Sequence, residues 1–267
     1  MKDICMIGIR NRCLLSFFIL LATLISSPNA FGQKRPYIRD GRTINQSKWE
    51  LVFSDEFRKE GTIDKHWMPE NMSPGGILSS RWRDNLRIKW GKLRIQNKKE
   101  QKGGREWTSG SMYSRPCYAY GFYECRMRIS KASGVNNSFW MSAGKKPGKH
   151  AFEIDFVEAH YPNIINMTIH DWGAEGKERL PSVSYVYKPD VDLSAGYHIY
   201  GCNWEEDKIS FYFDGELIWE TENQFCDHVG PMVLGTAVLG WAGKATDAID
   251  GTDMRVDYVR VWIKKNQ

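Results

Sequence analysis

Between residues 49 and 263 the sequence falls into short runs rich in β-branched and aromatic residues, with Gly, Pro, Asn or Asp between them. No stretch keeps a helical period for longer than about two turns. The runs are Trp49–Phe53, Leu86–Lys89, Lys92–Gln96, Gly110–Tyr113, Tyr120–Ile129, Asn137–Ser142, Phe152–Val157, Ile164–Ile169, Tyr197–Trp204, Lys208–Phe213, Glu216–Glu220, Met232–Ala237 and Asp253–Ile263. Such spacing predicts an antiparallel sandwich or barrel. Asp214-Gly215, between Phe211-Tyr212-Phe213 and Leu217-Ile218, is a two-residue hairpin signal, and a second turn is expected around Gly91. No repeat of 20–50 residues is present, so residues 49–267 read as one all-β domain.

The first 32 residues read as a signal peptide. Lys2, Arg10 and Arg12 precede an apolar run from Leu14 to Ile25, followed by small residues up to Gly32. The run holds about 12 residues, short of the roughly 20 that a bilayer span needs. Residues 33–48 are polar and read as a poorly ordered lead-in. Export to the periplasm, cell surface or medium is expected, with no membrane span after cleavage. Cys5 and Cys13 leave with the signal, and the remaining Cys117, Cys125, Cys202 and Cys226 allow three pairings. Cys125, between alternating apolar neighbours, reads as a buried thiol. Nothing in the Cys and His spacing suggests zinc. The net charge of +5, from 37 basic and 32 acidic side chains, is too balanced to call for nucleic acid. The chain does carry 11 Trp, 12 Tyr and 12 Phe, more rings than a core of this size needs. Some should face a ligand.

The chemistry concentrates in Phe152-Glu153-Ile154-Asp155-Phe156-Val157-Glu158. Alternation on a strand puts Glu153 and Asp155 on one face and Ile154 and Phe156 on the other. Glu158, five positions after Glu153, would face the wrong way unless a β-bulge near Phe156-Val157 adds a half-step. With it, three carboxylates line a cleft. Paired carboxyl groups are what a retaining glycosidase uses, one attacking the anomeric carbon while the other protonates the leaving oxygen. Mutual repulsion would keep a proton on the acid at neutral pH. By spacing alone either glutamate could take either role, and an acidic edge strand or calcium loop is the alternative.

Glu153-Ile154-Asp155-Phe156-Val157-Glu158 resembles the bulged active-site strand of glycoside hydrolase family 16, which includes laminarinases, agarases, porphyranases and carrageenases. The resemblance extends from about Trp49 to Trp262. It takes in Asp55-Glu56-Phe57, Asn85-Leu86-Arg87-Ile88, Ser109-Gly110-Ser111-Met112, Tyr120 to Met127, Phe139-Trp140-Met141, Trp204, Asp214-Gly215 and Met254 to Trp262. It implies a jelly-roll, concanavalin A-like antiparallel β-sandwich with a concave substrate cleft. It also implies Glu153 as nucleophile, Asp155 as its assisting neighbour and Glu158 as acid/base. Glu124 matches a sugar-binding glutamate of related β-glucanases, and Asn85 a polar cleft residue. Trp140 is offered as a stacking platform. His170 aligns with a family histidine near the carboxylates, and Trp172 would face the same way. No metal site is expected and no cofactor is needed, although the resemblance allows a structural calcium on the convex face.

Two stretches depart from the laminarinase pattern. Val135-Asn136-Asn137-Ser138 replaces a Trp-Pro-Ala stretch, and Leu234 to Trp241 replaces an Asn-rich, Gly-Gly-containing segment. Both lie where sugars would be contacted. The cluster Lys145-Lys146-Pro147-Gly148-Lys149-His150 would suit an anionic glycan as a basic rim, and otherwise reads as a solvated hairpin tip. The expected function is that of a secreted, monomeric endo-β-glycosidase on a β-galactan or β-glucan. A transglycosylase and a silent carbohydrate-binding sandwich are the alternatives.

Overall fold

The computed structural model describes residues 48–59 and 61–265, together with the backbone of 37–38 and 42–43. The signal-peptide reading of residues 1–32 lies outside the described residues. In chain order the strands are β1 (Tyr37–Ile38), β2 (Arg42–Thr43), β3 (Trp49–Asp55), β4 (Trp67–Pro69), β5 (Ser79–Arg81), β6 (Leu86–Lys89) and β7 (Lys92–Gln96). There follow β8 (Lys98–Lys102), β9 (Arg105–Ser109), β10 (Ser111–Tyr118), β11 (Gly121–Arg128), β12 (Val135–Ala143), β13 (Ala151–His160) and β14 (Ile164–Gly173). The last are β15 (Val183–Tyr187), β16 (His198–Trp204), β17 (Lys208–Phe213), β18 (Glu216–Glu222), β19 (Gly230–Val238) and β20 (Asp253–Lys264). One five-residue helix, α1 (Thr62–His66), and three 3-10 turns complete the described elements.

Two antiparallel sheets form the body. The first, called here the cleft sheet, has the order β15-β14-β13-β12-β19-β10-β4. The second, the outer sheet, runs β18-β17-β16-β11-β20-β7-β6, with β3 paired to β20. A small sheet, β5-β9-β8, and the pair β1-β2 are hydrogen-bonded separately from them.

Alternation explains why the two sheets stack. On β11, Tyr123, Cys125 and Met127 are buried in the core while Glu124, Arg126 and Arg128 take the opposite face. Ile154, Phe156, Val157, Met167 and Ile169 from the cleft sheet meet Tyr123, Tyr200, Phe211, Val259 and Val261 from the outer sheet in one apolar cluster. Burying a side chain of this size contributes about 1.5–3 kcal/mol. The turns follow the sequence signals. Asp214 and Gly215 have φ of 47° and 92° between β17 and β18, and Trp90 and Gly91 have 56° and 66° between β6 and β7. Positive φ at both central residues is what a type I′ hairpin needs. Asp214 also accepts hydrogen bonds from Ile199 N–H at 2.7 Å, which ties the turn to β16.

Candidate active site

The acidic row sits on β13, near the middle of the cleft sheet, and the bulge places it. Against β12, Val157 faces Phe139 and Asp155 faces Trp140, two residues further back on one strand for one step on the other. Against β14, Asp155 faces Thr168 and Glu158 faces Asn166, three steps against two. Phe156 is thus the extra residue. Both Phe156 and Val157 turn inward, and Phe156 packs on Tyr123 and Phe139 with ring centroids 4.8 and 5.0 Å away. The half-step lost to the core returns Glu158 to the face of Glu153 and Asp155.

That face opens on a cleft of about 410 Å³, lined by Glu153, Asp155, Glu158, Asn166, Thr168, His170, Ser184, Tyr185, Val186 and Trp241. His170 lies opposite Glu153 in register, and its Nε2 stands 3.3 Å from Asp155 Oδ2. Its Nδ1 is 2.9 Å from Ser182 Oγ, which fixes the ring from the other side. Trp172 stacks on His170 at 5.1 Å and 15°, and hydrogen-bonds Glu153. Arg179 covers the Trp172 ring at 4.9 Å, with its Nε–H donated to the Asp171 carbonyl at 2.6 Å. At the far end of the row, Asn136 Nδ2–H donates to Glu158 Oε1 at 2.6 Å, and Asn166 Nδ2–H to the Glu158 carbonyl at 3.1 Å.

No lysine or arginine pairs with the three carboxylates among the described residues. Their charge is therefore expensive. Burial, and after it the charge of Asp155, push Glu153 up to about 8, against the opposing pull of His170 and the Trp172 hydrogen bond. Burial, with Glu158 adding to it, holds Asp155 well above the usual carboxylate range. Burial also raises Glu158, and the Asn136 hydrogen bond works against it. Such a row keeps protons at neutral pH. Asp155 is the most buried of the three, at 2% exposure, so a shared proton rests there at least cost. Once Asp155 is neutral, the smaller, repulsive part of the lift on Glu153 falls away, and burial is what remains.

The structure thus brings Glu153, Asp155, Glu158, His170 and Trp172 together. Trp140 lies on the same face, opposite Asp155, half-buried with Tyr113 against it edge-on at 6.3 Å. Asn85 and Glu124 are corrections, because neither borders the cleft. Asn85 is fully buried and gives its amide to the Gln96 carbonyl and the Thr108 hydroxyl, both at 2.9 Å. Glu124 is fully buried in the outer sheet and accepts a hydrogen bond from Tyr258 at 2.7 Å. A matched residue type does not put a side chain in solvent. Asn166 and Ser182 were not among the expected site residues, and Asn136 and Trp241 lie in the two stretches expected to contact sugars without having been singled out there. Alternation from Trp140 would have found Asn136, and alternation from His170 would have found Asn166.

The four cysteines 117, 125, 202 and 226 are free thiols, with Cys125 buried as expected. The Lys145–His150 cluster forms a hairpin tip, bridged from Lys146 to Lys149, with Lys149 paired to Asp227 at 3.0 Å and His150 to Asp171 at 2.9 Å. Among the described residues, Glu153, Asp155 and His170 are the one group of three possible ligands within 4.8 Å of one another. No helix of the described residues is long and apolar enough to cross a membrane.

Comparison with known proteins agrees with this geometry. The family model for the GH16 domain of beta-porphyranases A–D matches residues 49–264. The kappa-carrageenase of Pseudoalteromonas carrageenovora is 28% identical over 295 residues, covering 92% of this chain and 71% of that protein. An endo-1,3-1,4-beta-glycanase of Rhizobium meliloti is 32% identical over 166 residues, and there the match covers 60% of this chain and 34% of the relative. The catalytic domain of an endo-1,3-beta-glucanase (laminarinase) from Thermotoga petrophila superimposes with a TM-score of 0.72 at 27% identity, covering 82% of this chain and 99% of that one. With an all-β sandwich, a bulged acidic row and a family match over the whole described domain, the chain belongs to glycoside hydrolase family 16 and is a glycoside hydrolase.

Proposed function

We propose that the protein is a secreted, endo-acting, retaining β-glycosidase that cuts internal β-linkages of a polysaccharide through a covalent glycosyl-enzyme. The bulge at Phe156 carries this reading, because it puts two glutamates and the aspartate between them on one face of one strand. In the first step a Glu153 carboxylate oxygen attacks the anomeric carbon, while Glu158 gives its proton to the departing glycosidic oxygen. In the second, Glu158 takes a proton from water, the water oxygen attacks the same carbon, and Glu153 is released as carboxylate. Two inversions retain the configuration. Asp155, holding a proton beside Glu153, orients the nucleophile, and Asn136 fixes the Glu158 carboxyl. The chemistry uses side chains alone.

Among β-galactans and β-glucans, an anionic β-galactan is favoured. Arg179 is exposed at the cleft rim, stacked on the tryptophan that bonds Glu153. Its Nε is spent on the backbone, which leaves the terminal amino groups to meet an acidic substituent. The matching family model is that of beta-porphyranases, and one relative is a kappa-carrageenase. Export follows from the signal pattern at the N-terminus.

The test is hydrolysis of laminarin, mixed-linkage glucan, agarose, porphyran, carrageenan and mucin-type glycans, read by product size and by the anomer first released. Glu153→Gln and Glu158→Gln are each expected to abolish turnover without disturbing the fold. Near-normal activity in either variant sinks the assignment, and an inverted first product sinks the covalent intermediate.

A further inference from the structure

The outer sheet carries a charge pattern on its solvent face that the proposed reaction does not use. Leu86, Leu93, Met254 and Met127 lie in the core, so their strand neighbours Arg87, Arg94, Arg255 and Arg128 point the other way. These four arginines are in register on adjacent strands, Arg87 opposite Arg94, Arg94 opposite Arg255, and Arg255 opposite Arg128. Strands about 4.8 Å apart make the row about 14 Å long. Lys89 opposite Lys92 is the next rung. Like charges set opposite one another weaken a sheet. Asp253 takes up Arg94 and Arg255, and Asp257 takes up Lys92 and Arg126. Arg87, Lys89 and Arg128 have no carboxylate partner among the described residues, and Arg128 Nε has no hydrogen-bond partner at all.

At the edge of this row stands Trp90, with 77% of its surface exposed. It holds the first central position of the β6–β7 hairpin, where φ is 56°. That position favours Gly, Asn or Asp, and the β17–β18 hairpin has Asp214 there. A bulky ring at positive φ costs stability, and so exposed a ring recovers little of it by burial. What the ring does meet is charge. Lys89 Nζ stands 4.3 Å from its centroid and the Arg94 guanidinium 5.8 Å. Such contacts are weak at an exposed site. A residue that breaks the local rule without a packing gain points to a use outside the fold.

We propose that the solvent face of β6, β7, β20 and β11, with Trp90 at its edge, is a second, non-catalytic binding site for an anionic galactan chain. The indole offers a flat apolar surface to the C–H face of a pyranose, and the guanidinium groups beside it suit sulfate esters. A row of cations across an open sheet face matches an extended chain with repeated negative charge. The site lies across the core from the acidic row, so a chain held there leaves the cleft free and keeps the enzyme on its polymer between cuts. The ligand class rests on the anionic-galactan reading given above.

Hydroxyl-radical footprinting, read residue by residue by mass spectrometry, follows the outer face apart from the cleft. Carrageenan or porphyran chains should protect Trp90 in the Glu153→Gln protein, which leaves them whole, and neutral agarose oligosaccharides should not. Electrophoresis through gels containing the same polymers gives affinity. Trp90→Asn, and separately Arg87→Gln with Lys89→Gln and Arg128→Gln, should each weaken retention at least about fivefold, and added salt should weaken it further. In an otherwise wild-type enzyme, both sets should leave kcat on short oligosaccharides in place and raise KM on the polymer. Asn suits the turn, so Trp90→Asn should also raise the melting temperature by about 2 °C. A lowered melting temperature would make the ring a packing residue and overturn the site. So would unchanged retention in both variants. Duplex DNA or phosphatidylglycerol vesicles that protect Trp90 as strongly as carrageenan overturn the glycan assignment. The two readings fail separately. Protection of Trp90 with no cleavage of any anionic galactan sinks the proposed substrate and keeps the outer site, whereas cleavage with Trp90 left open to radicals does the reverse.

Discussion

Each of the two sheets carries a bulge beside a carboxylate, and the bulges have opposite consequences. In the outer sheet, Arg126 faces Tyr258 and Met127 faces Val256, so Asp257 is the extra residue on β20. Lys92 holds it at 2.8 Å and Arg126 pairs with it as well. Although burial pushes the other way, these two cations keep Asp257 below the usual carboxylate range. In the cleft sheet the extra residue is Phe156, buried, and the carboxylates it realigns have no lysine or arginine partner among the described residues. There the shifts run upward. The strand geometry is alike. What separates a structural carboxylate from one that can hold and release a proton near neutral pH is whether a cation was placed beside it.

The largest expected effect comes from breaking the bulge. One alanine inserted after Val157 turns Glu158 towards the core, which should remove activity by about a thousandfold or more and destabilise the protein by about 3 kcal/mol or more. Deleting Val157 instead restores plain alternation with Glu158 still on the cleft face, so kcat should stay within about a hundredfold of wild type. Equal losses in the two variants, in paired assays of turnover and urea unfolding, would show that the half-step is not what matters.

Making the cleft sheet resemble the outer one should come next in size. Thr168 is half-buried and lies opposite Asp155, so Thr168→Lys would put an ammonium beside the row. The cation favours the charged carboxylates and lowers their pKa values. The acid then loses its proton earlier. A fall in kcat of roughly a hundredfold is expected, with the alkaline limb of the pH–rate profile moved to lower pH. An unmoved limb would break the comparison.

The smallest effects are in stability, and they carry opposite signs. Glu153, raised from 4.5 to about 8 in the fold, binds its proton more tightly folded than unfolded. Its contribution is therefore complete below about pH 4.5 and is lost as pH rises towards 8. Glu153→Gln should stabilise the protein by about 1–2 kcal/mol near pH 8.5 and by almost nothing at pH 4.5. Asp257, lowered in the fold, stabilises above its unfolded value of 3.8 and loses that as pH falls through its folded value. Asp257→Asn should cost about 1–2 kcal/mol at pH 7 and progressively less in acid. Urea unfolding across pH 3–9 measures both, and shifts of the same sign would remove the distinction between the sheets.

Much of this could be read in the sequence where alternation is strict. β11, β13 and β20 lie where their apolar periods put them, and the bulge followed from the single misplaced position of Glu158. Strands without that period were missed. β8 is Lys-Lys-Glu-Gln-Lys, stabilised by its place in the small sheet and not by an apolar face. β15 is an edge strand with Val183, Tyr185 and Val186 exposed, so no buried partner marked it, yet it lines the cleft. Asn85 and Glu124 misled for a related reason. Their residue types suit a sugar, and only the packed fold shows each amide or carboxylate already occupied inside the protein.

The thiols add a consequence of another kind. Since Cys117, Cys125, Cys202 and Cys226 carry no cross-link, cohesion of the sandwich is wholly non-covalent, and a reducing cytosol is no obstacle to producing it. Of the four, only Cys117 meets solvent, while the other three are buried in the apolar cluster. Their alkylation by a small reagent keeps a running record of how often, and for how long, the layers part.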